Sequence, residues 1–364
     1  MRNKNSGLQG FLSVVLSVVI LSTTFLFSDT LTVCVNNFTF LALSLNNETK
    51  KLKEDNRILS KEENNILGFG NSVSNLTSDT KTPEDIENIM KDAVSVYASF
   101  EKTGEIEETT LSAISSNTVY KNVAVNNKTE TKIVDVKKEL SKKASFGKIT
   151  KDEPYILVYH THTTEGYELL DKGWYSDDYN SRTKDLSKTV VRVGDEITSR
   201  LEKAGFKVIH DKTIYDANYD GAYSRSLKTV EKILKENPSI VITLDVHRDA
   251  IHYDDGSRCK PTATINGKKA AQVMIITGAE EGDITDYPRW SENLTFAIAL
   301  QNKVEENYKG LMRPIFFCQR KYNMQVTPCS LLLEMGTDVN TLEEAVYSGR
   351  LIGDSLAELL EENI

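Results

Sequence analysis

The chain of 364 residues carries 44 Lys and Arg against 53 Asp and Glu, a net charge of −9 with His neutral, and at about 150 residues per domain its length suggests roughly two domains. A nucleic-acid groove needs clustered positive charge, so this balance excludes one as the main business of the chain. Seven prolines, nineteen glycines and four cysteines exclude collagen-like, Pro-rich and disulfide-scaffold chains.

Residues 10–27 read GFLSVVLSVVILSTTFLF, 18 residues without a charge. A spanning helix needs about 20 mostly apolar residues. Arg2 and Lys4 precede the block and Asp29 ends it, which predicts a cytoplasmic N-terminus with the rest of the chain exported. The rival is a cleaved signal peptide, but no A-x-A pattern follows the apolar core, and the uncleaved anchor is preferred. A second apolar run, Leu31 to Leu45, is interrupted by Asn36 and Asn37. Residues 1–30 are thus expected to be the cytoplasmic tip and transmembrane anchor, and 31–150 an extracytoplasmic stalk or accessory region. Residues 46–81 lack an apolar period and read as linker. Thr82-Pro83-Glu84-Asp85 predicts a helix start with Thr82 as cap. Ile86, Ile89, Met90, Ala93, Val94 and Tyr97 follow at helical spacing, and the helix is expected to end near Gly104. Val119 to Val136 suggests a weak hairpin around Asn126-Asn127. No chemistry is legible in this region.

From about residue 151 to 364, strand and helix alternate. Strand-like runs fall at Tyr155–Tyr159, Phe206–Ile209, Ser239–Val246, Gln272–Thr277, Ile315–Cys318 and Ser330–Glu334. Helical stripes fall at 190–204, 227–234, 290–308 and 341–360. The strands are continuous apolar runs, which predicts an α/β domain with a mostly parallel sheet flanked by helices. Cys34, Cys259, Cys318 and Cys329 show no C-x-x-C spacing, so a thiolate zinc site is disfavoured. Cys318 and Cys329 are either a disulfide pair or free thiols.

The polar residues that matter stand at strand ends. His160 and His162 follow the first strand in YHTHTTEGY, His247 ends LDVHRD, and Glu334 ends SLLLE. In an open parallel sheet, ligands bind beyond the carboxyl ends of the strands. His160 and His162 lie two apart, on one face if the strand persists, and Glu165 follows three residues later. His247 is flanked by Asp245, Arg248 and Asp249. Imidazoles with a carboxylate are a zinc-type donor set, and a further carboxylate can serve as general base and then acid. His210 and His252 are expected to be ordinary hydrogen-bonded histidines. For Glu334 the rival is a salt bridge with Arg248 or Arg320. Serine-hydrolase, phosphate-loop, dinucleotide and H-E-x-x-H signatures are absent.

YHTHTTEGY, VVRVGDEITSRLEKAGFKVIHD, LDVHRDA and LLLEMGTDVNTLEEA together resemble the stage II sporulation protein P family, over about residues 150–364. That family looks like a branch of the zinc-dependent N-acetylmuramoyl-L-alanine amidases. The resemblance implies cleavage of the amide between muramic acid and L-alanine in peptidoglycan during forespore engulfment, with a stem-peptide endopeptidase activity besides. It implies a zinc cofactor and, as partners, the stage II sporulation protein D transglycosylase and the stage II membrane protein M, at the septal and engulfing membrane. Carried over by position, His247 is a metal ligand and Glu334 the catalytic carboxylate. The first His ligand is His162, with His160 as its rival or supporting partner. The Glu ligand is Glu165, with Asp185, which stands where other amidases have a Glu at the start of the first helix, as the alternative. Tyr215-Asp216 stands where the family often has His-Asp. Arg248 either holds a substrate carboxylate or orients Asp249. The rival functions are a zinc carboxypeptidase-like stem-peptide peptidase and a catalytically degenerate wall-binding scaffold.

Overall fold

The computed structural model describes residues 80–112 and 116–364. The expected anchor and the first part of the expected stalk lie outside the described residues. Among the described residues no helix is long and apolar enough to cross a membrane.

The first helix, α1 (Glu84–Tyr97), begins after Pro83 with acid in its first turn and buries Ile86, Ala93 and Tyr97. Thr82 does not cap it. Its hydroxyl is taken up by Glu343 and Lys268. Nor does the helix reach Gly104, which opens strand β1 (Gly104–Thr109). A Cβ at Gly104 would lie 2.6 Å from the Tyr175 ring, so this glycine serves a close strand approach and not a helix stop. A hairpin follows, β2 (Thr118–Tyr120) and β3 (Val123–Asn127). Its turn is at Lys121, where φ is +53°. The expected turn residues Asn126 and Asn127 instead lie within β3.

The remaining elements are α2 (Val136–Glu139), β4 (Pro154–Tyr159), β5 (Trp174–Tyr175), α3 (Val190–Lys203), β6 (Lys207–His210), α4 (Ala222–Glu236), β7 (Ile242–Asp249), β8 (Arg258–Ile265), β9 (Lys268–Ala271), β10 (Val273–Gly278), α5 (Trp290–Asn307), β11 (Ile315–Cys318), β12 (Cys329–Thr337) and α6 (Leu342–Glu361). They build an eight-stranded sheet of order β2-β3-β11-β10-β12-β7-β4-β6 and a four-stranded sheet of order β5-β1-β8-β9. Strands from before residue 150 therefore join both sheets.

The fold is α/β, but the main sheet is mixed, and the expectation of a mostly parallel sheet is corrected. β12, β7, β4 and β6 run parallel. β10 runs antiparallel to β12, with Val273 opposite Met335. The reason lies in the connection. The chain leaves the carboxyl end of β7, makes the antiparallel β8–β9 pair in the second sheet, and returns at the same end of the main sheet. β10 must then run backwards. Apolar runs carry no mark of direction, because a strand buried on both faces reads the same either way. β12 has Leu331, Leu332, Leu333 and Met335 buried; Leu331, Leu333 and Met335 share one core with α3, α5 and α6, while Leu332 faces a smaller core with Met274, Ile276, Tyr287, Cys318 and Met324. Cys259, Cys318 and Cys329 are free and buried, so the disulfide alternative for Cys318 and Cys329 falls. Burial pushes the Cys318 thiol up to about 12.

Candidate active site

Alternation along β7 puts Asp245, His247 and Asp249 on one face. In the parallel register His247 stands opposite Glu334 of β12, and Asp245 opposite Tyr159 of β4. Beyond β4 the chain turns sharply. Asp245 fixes that turn: its Oδ1 accepts from the Thr161 N–H at 2.8 Å and its Oδ2 from the Thr161 hydroxyl at 2.7 Å. The turn closes with Glu165 N–H donating to the His162 carbonyl at 3.0 Å. The outcome is a cluster. The His162 and His247 rings lie 5.3 Å apart and nearly perpendicular. Glu165 Oε2 lies 3.4 Å from His247 Nδ1 and accepts from the Arg248 N–H at 3.2 Å. Arg182 donates to Glu165 Oε1 at 3.0 Å and to Asp216 Oδ2 at 2.9 Å.

Electrostatics divide the labour. Burial works against the Glu165 anion, but the His247 hydrogen bond, Arg248 and His162 outweigh it, and its carboxyl is held down at about 2. Burial and the Asp249 charge push Glu334 up to about 8, against the pull of His247. Burial and the His247 charge hold His162 down at about 4, so it is neutral at pH 7. For His247 burial opposes the charge, yet Asp245 and Glu165 raise it well above the ordinary imidazole range.

His162 Nδ1, His247 Nε2 and Glu334 Oε2 are buried atoms without a hydrogen-bond partner. His247 Nε2 does lie 2.9 Å from Asp245 Oδ1, at ion-pair distance but without the alignment of a hydrogen bond. Each unmet polar atom costs about 1–3 kcal/mol, and such a group in one cluster suits a guest. His162, His247 once it gives up its proton, and the ionised Glu165 match a zinc-type ion in donor chemistry. As placed, no group of three or more His, Cys, Asp or Glu among the described residues stands ready to hold a metal ion. Glu165 is engaged by Arg182 and the Arg248 backbone, and the three donors would have to draw together.

A family model described as stage II sporulation protein P matches residues 53–357. The chain belongs to the stage II sporulation protein P family. A curated relative, stage II sporulation protein P of Bacillus subtilis (strain 168), is 30% identical over 222 residues, 58% of this chain and 52% of the relative. The chain thus matches about half the length of that relative. Distant likenesses among solved structures include the CwlD amidase from Clostridioides difficile in complex with the GerS lipoprotein, 14% identical with TM-score 0.34, covering 58% of this chain and 100% of that one. Another is the N-acetylmuramoyl-L-alanine amidase AmiC2 of Nostoc punctiforme, 10% identical with TM-score 0.32, covering 57% and 96%. Likeness at these scores is too remote to speak for the chemistry of this chain.

In this member of the stage II sporulation protein P family, His162, Glu165, His247 and Glu334 converge as the sequence predicts. His160 does not join them, and its reading as a ligand is corrected. Its Nδ1 faces the Val246 carbonyl at 2.9 Å and its Nε2 faces His210 Nε2 at 2.8 Å, so both ring nitrogens are spent. Gly194 of α3 admits this pair, since a Cβ there would lie 2.8 Å from His160 Nε2. His210 continues to Asp195 at 3.1 Å, and His252 meets Asp338 at 3.0 Å, ordinary partnered histidines as expected. Arg248 is not free for a substrate carboxylate: it donates to the Gly166 carbonyl at 3.0 Å, the Ser181 hydroxyl at 3.1 Å and the Asp249 carbonyl at 3.4 Å. It ties the Glu165 turn to the loop before α3. Asp185 caps the short turn Leu186–Lys188 and pairs with Lys188 at 2.9 Å, which leaves Glu165 as the carboxylate of the cluster. The sequence reading missed Arg182, which lies in irregular chain without a period. It noted Asp245 only as a flank, although its place two residues before His247 on one strand face was the available signal.

Proposed function

We propose that this chain is a peptidoglycan hydrolase that cleaves the amide between N-acetylmuramic acid and L-alanine, acting at the septal and engulfing membrane from a single-pass N-terminal anchor. The observation that carries the reading is the divergence of two buried carboxylates. Glu165 is held down at about 2 while Glu334 is pushed up to about 8. A pair pushed apart in this way supplies one permanent anion and one group that exchanges a proton near neutral pH.

His162, Glu165 and His247 would hold a zinc-type ion, which when bound supplies Lewis acidity towards water and the amide carbonyl. Glu334 accepts a proton from the attacking water and returns it to the leaving nitrogen. His162, kept neutral by burial, has a lone pair on one ring nitrogen to offer. Arg182 fixes one oxygen of Glu165, so that the other faces His247. Membership of the stage II sporulation protein P family supports the sporulation setting. A stem-peptide endopeptidase activity, and the stage II proteins D and M as partners, belong to the same proposal.

The test is mass spectrometry of purified peptidoglycan digested by the full-length chain, with and without chelator. Stem peptides with new L-alanine amino termini are expected. They should vanish with Glu334→Gln and with His247→Ala. Shortened stems would replace this reading with a carboxypeptidase-like peptidase. Intact wall carrying bound protein would replace it with a scaffold.

A further inference from the structure

A tyrosine outside the reacting set stands beside the cluster. Tyr219 is 51% exposed, yet its ring lies parallel to His162, 5° between planes and 4.6 Å between centroids. The Arg182 guanidinium is 5.3 Å from the same ring centroid. The loop that carries Tyr219 is clamped from both sides. Arg225, in the first turn of α4, donates to the carbonyls of Tyr215 at 2.6 Å and Asp220 at 3.0 Å, and also to that of Asn218. These carbonyls bracket Tyr219. Asp216 ties the start of the loop to the Thr164 N–H at 3.1 Å and the Thr164 hydroxyl at 2.6 Å.

A second aromatic edge runs along the neighbouring helix. Tyr223 lies edge-on to His162 at 5.5 Å and parallel to His247 at 6.3 Å, and Tyr322 packs on Tyr223 at 5.4 Å. Tyr322 and its neighbour Asn323 both have left-handed backbone, φ 43° and 58°. That strain is held by Asn323 Nδ2 donating to the Tyr223 carbonyl at 2.9 Å and the Ser226 hydroxyl at 3.1 Å.

A large ring held this firmly has given up its freedom while half of it stays in water. His162 covers one side of the ring, and the part of the residue left in water can take a ligand that completes the burial. An aromatic face is electron-rich, and a pyranose ring presents a face of weakly positive C–H groups. We propose that Tyr219 is a saccharide platform, on which a sugar ring of the glycan strand packs while the scissile amide lies over His162, His247 and Glu334. The inference rests on the hydrolase reading and names the subsite that would orient its substrate.

The test uses the full-length chain with Tyr219→Ala, Tyr219→Leu, Tyr219→Phe and Tyr219→Trp. Readouts are KM and kcat on a disaccharide-peptide substrate, and inhibition by the peptide-free disaccharide and by the free stem peptide. Tyr219→Ala should raise KM roughly 3- to 10-fold, the size of one aromatic stacking contact, with a smaller change in kcat. Disaccharide inhibition should weaken by the same factor and stem-peptide inhibition should not. Tyr219→Phe and Tyr219→Trp should keep tight binding. Equal weakening of both inhibitors, or loss confined to kcat, would overturn the platform. So would misfolding of Tyr219→Ala and Tyr219→Leu alike, because the ring would then be structural. Disaccharide binding measured directly in a Glu334→Gln background needs no turnover. An inactive parent chain would therefore sink the hydrolase reading while this binding arm still judges the platform.

Discussion

Asp245 holds Thr161 at both its N–H and its hydroxyl, 2.8 and 2.7 Å away, while its Oδ1 lies 2.9 Å from Nε2 of His247. One fully buried carboxylate thus ties the turn that bears His162 to the strand that bears His247. Asp245→Asn keeps the shape but removes the charge and puts an amide N–H where the Thr161 hydroxyl now meets an accepting oxygen. The expected loss of stability is about 2 kcal/mol, the scale of hydrogen bonds to a charged group. If His162 and His247 bind metal, affinity should also fall roughly 10- to 100-fold. Thermal unfolding and metal-titration calorimetry check the two effects separately, and unchanged metal affinity would detach Asp245 from the site.

Glu334 owes its raised value of about 8 first to burial and next to the Asp249 charge. Activity that needs the ionised base should rise with pH through that region. Asp249→Asn removes one cause of the rise. It also releases Arg313, which pairs with Asp249 at 2.9 Å, to favour the Glu334 anion. The alkaline-rising limb of kcat/KM should therefore move to lower pH, by about one unit. A limb that stays in place would mean that another group sets the profile.

Glu334, His247 and His162 were legible because rare, chemistry-bearing types stand directly after apolar runs, and strands deliver their ends to one edge. Glu165 was legible from its spacing to His162. Arg182 and Tyr219 were not, since they ride on irregular loops without a period, the first held by Asp216 further along the chain and the second clamped by Arg225 at the start of α4. The direction of β10 was invisible for a different reason: Val273 to Gly278 is buried throughout, and a buried strand has no polar face to orient it. Gly104 was misread because a glycine after a helical stripe usually marks a stop, whereas here the constraint comes from the Tyr175 ring, far along the chain.

Glu168 should make the fold less stable as pH rises. It is buried, and burial pushes its carboxyl up to about 7 against the Tyr97 hydroxyl, which donates to it at 2.9 Å. Between the ordinary value near 4.5 and 7 the folded chain holds this proton and the unfolded chain does not. Its stabilising share is therefore complete below about pH 4.5 and is lost as pH climbs through 7, a change on the order of 3 kcal/mol. Glu168→Gln can still accept from Tyr97 and has no charge to bury. It should raise the melting temperature at pH 8 and leave it nearly unchanged at pH 4. Equal shifts at both pH values would contradict the raised value.

Lys260 of β8 is 2% exposed and lies 2.8 Å from Glu344, 2.9 Å from Asp171 and 3.3 Å from Glu108. Glu344 is itself buried and completes the capping box of α6 with Thr341. The lysine thereby joins the second sheet to the start of the last helix, just beyond the strand that carries Glu334. Lys260→Met strands the buried Glu344 anion, while Asp171 and Glu108 keep Lys269 at 3.0 and 2.7 Å. A loss of about 3–5 kcal/mol is expected, as for one partner of a buried ion pair. Adding Glu344→Gln removes the stranded charge while the amide can still accept from Asn340 and Thr341. The double variant should recover a large part of the loss in urea unfolding, whereas an additive pair would show that Lys260 acts through Asp171 and Glu108 instead.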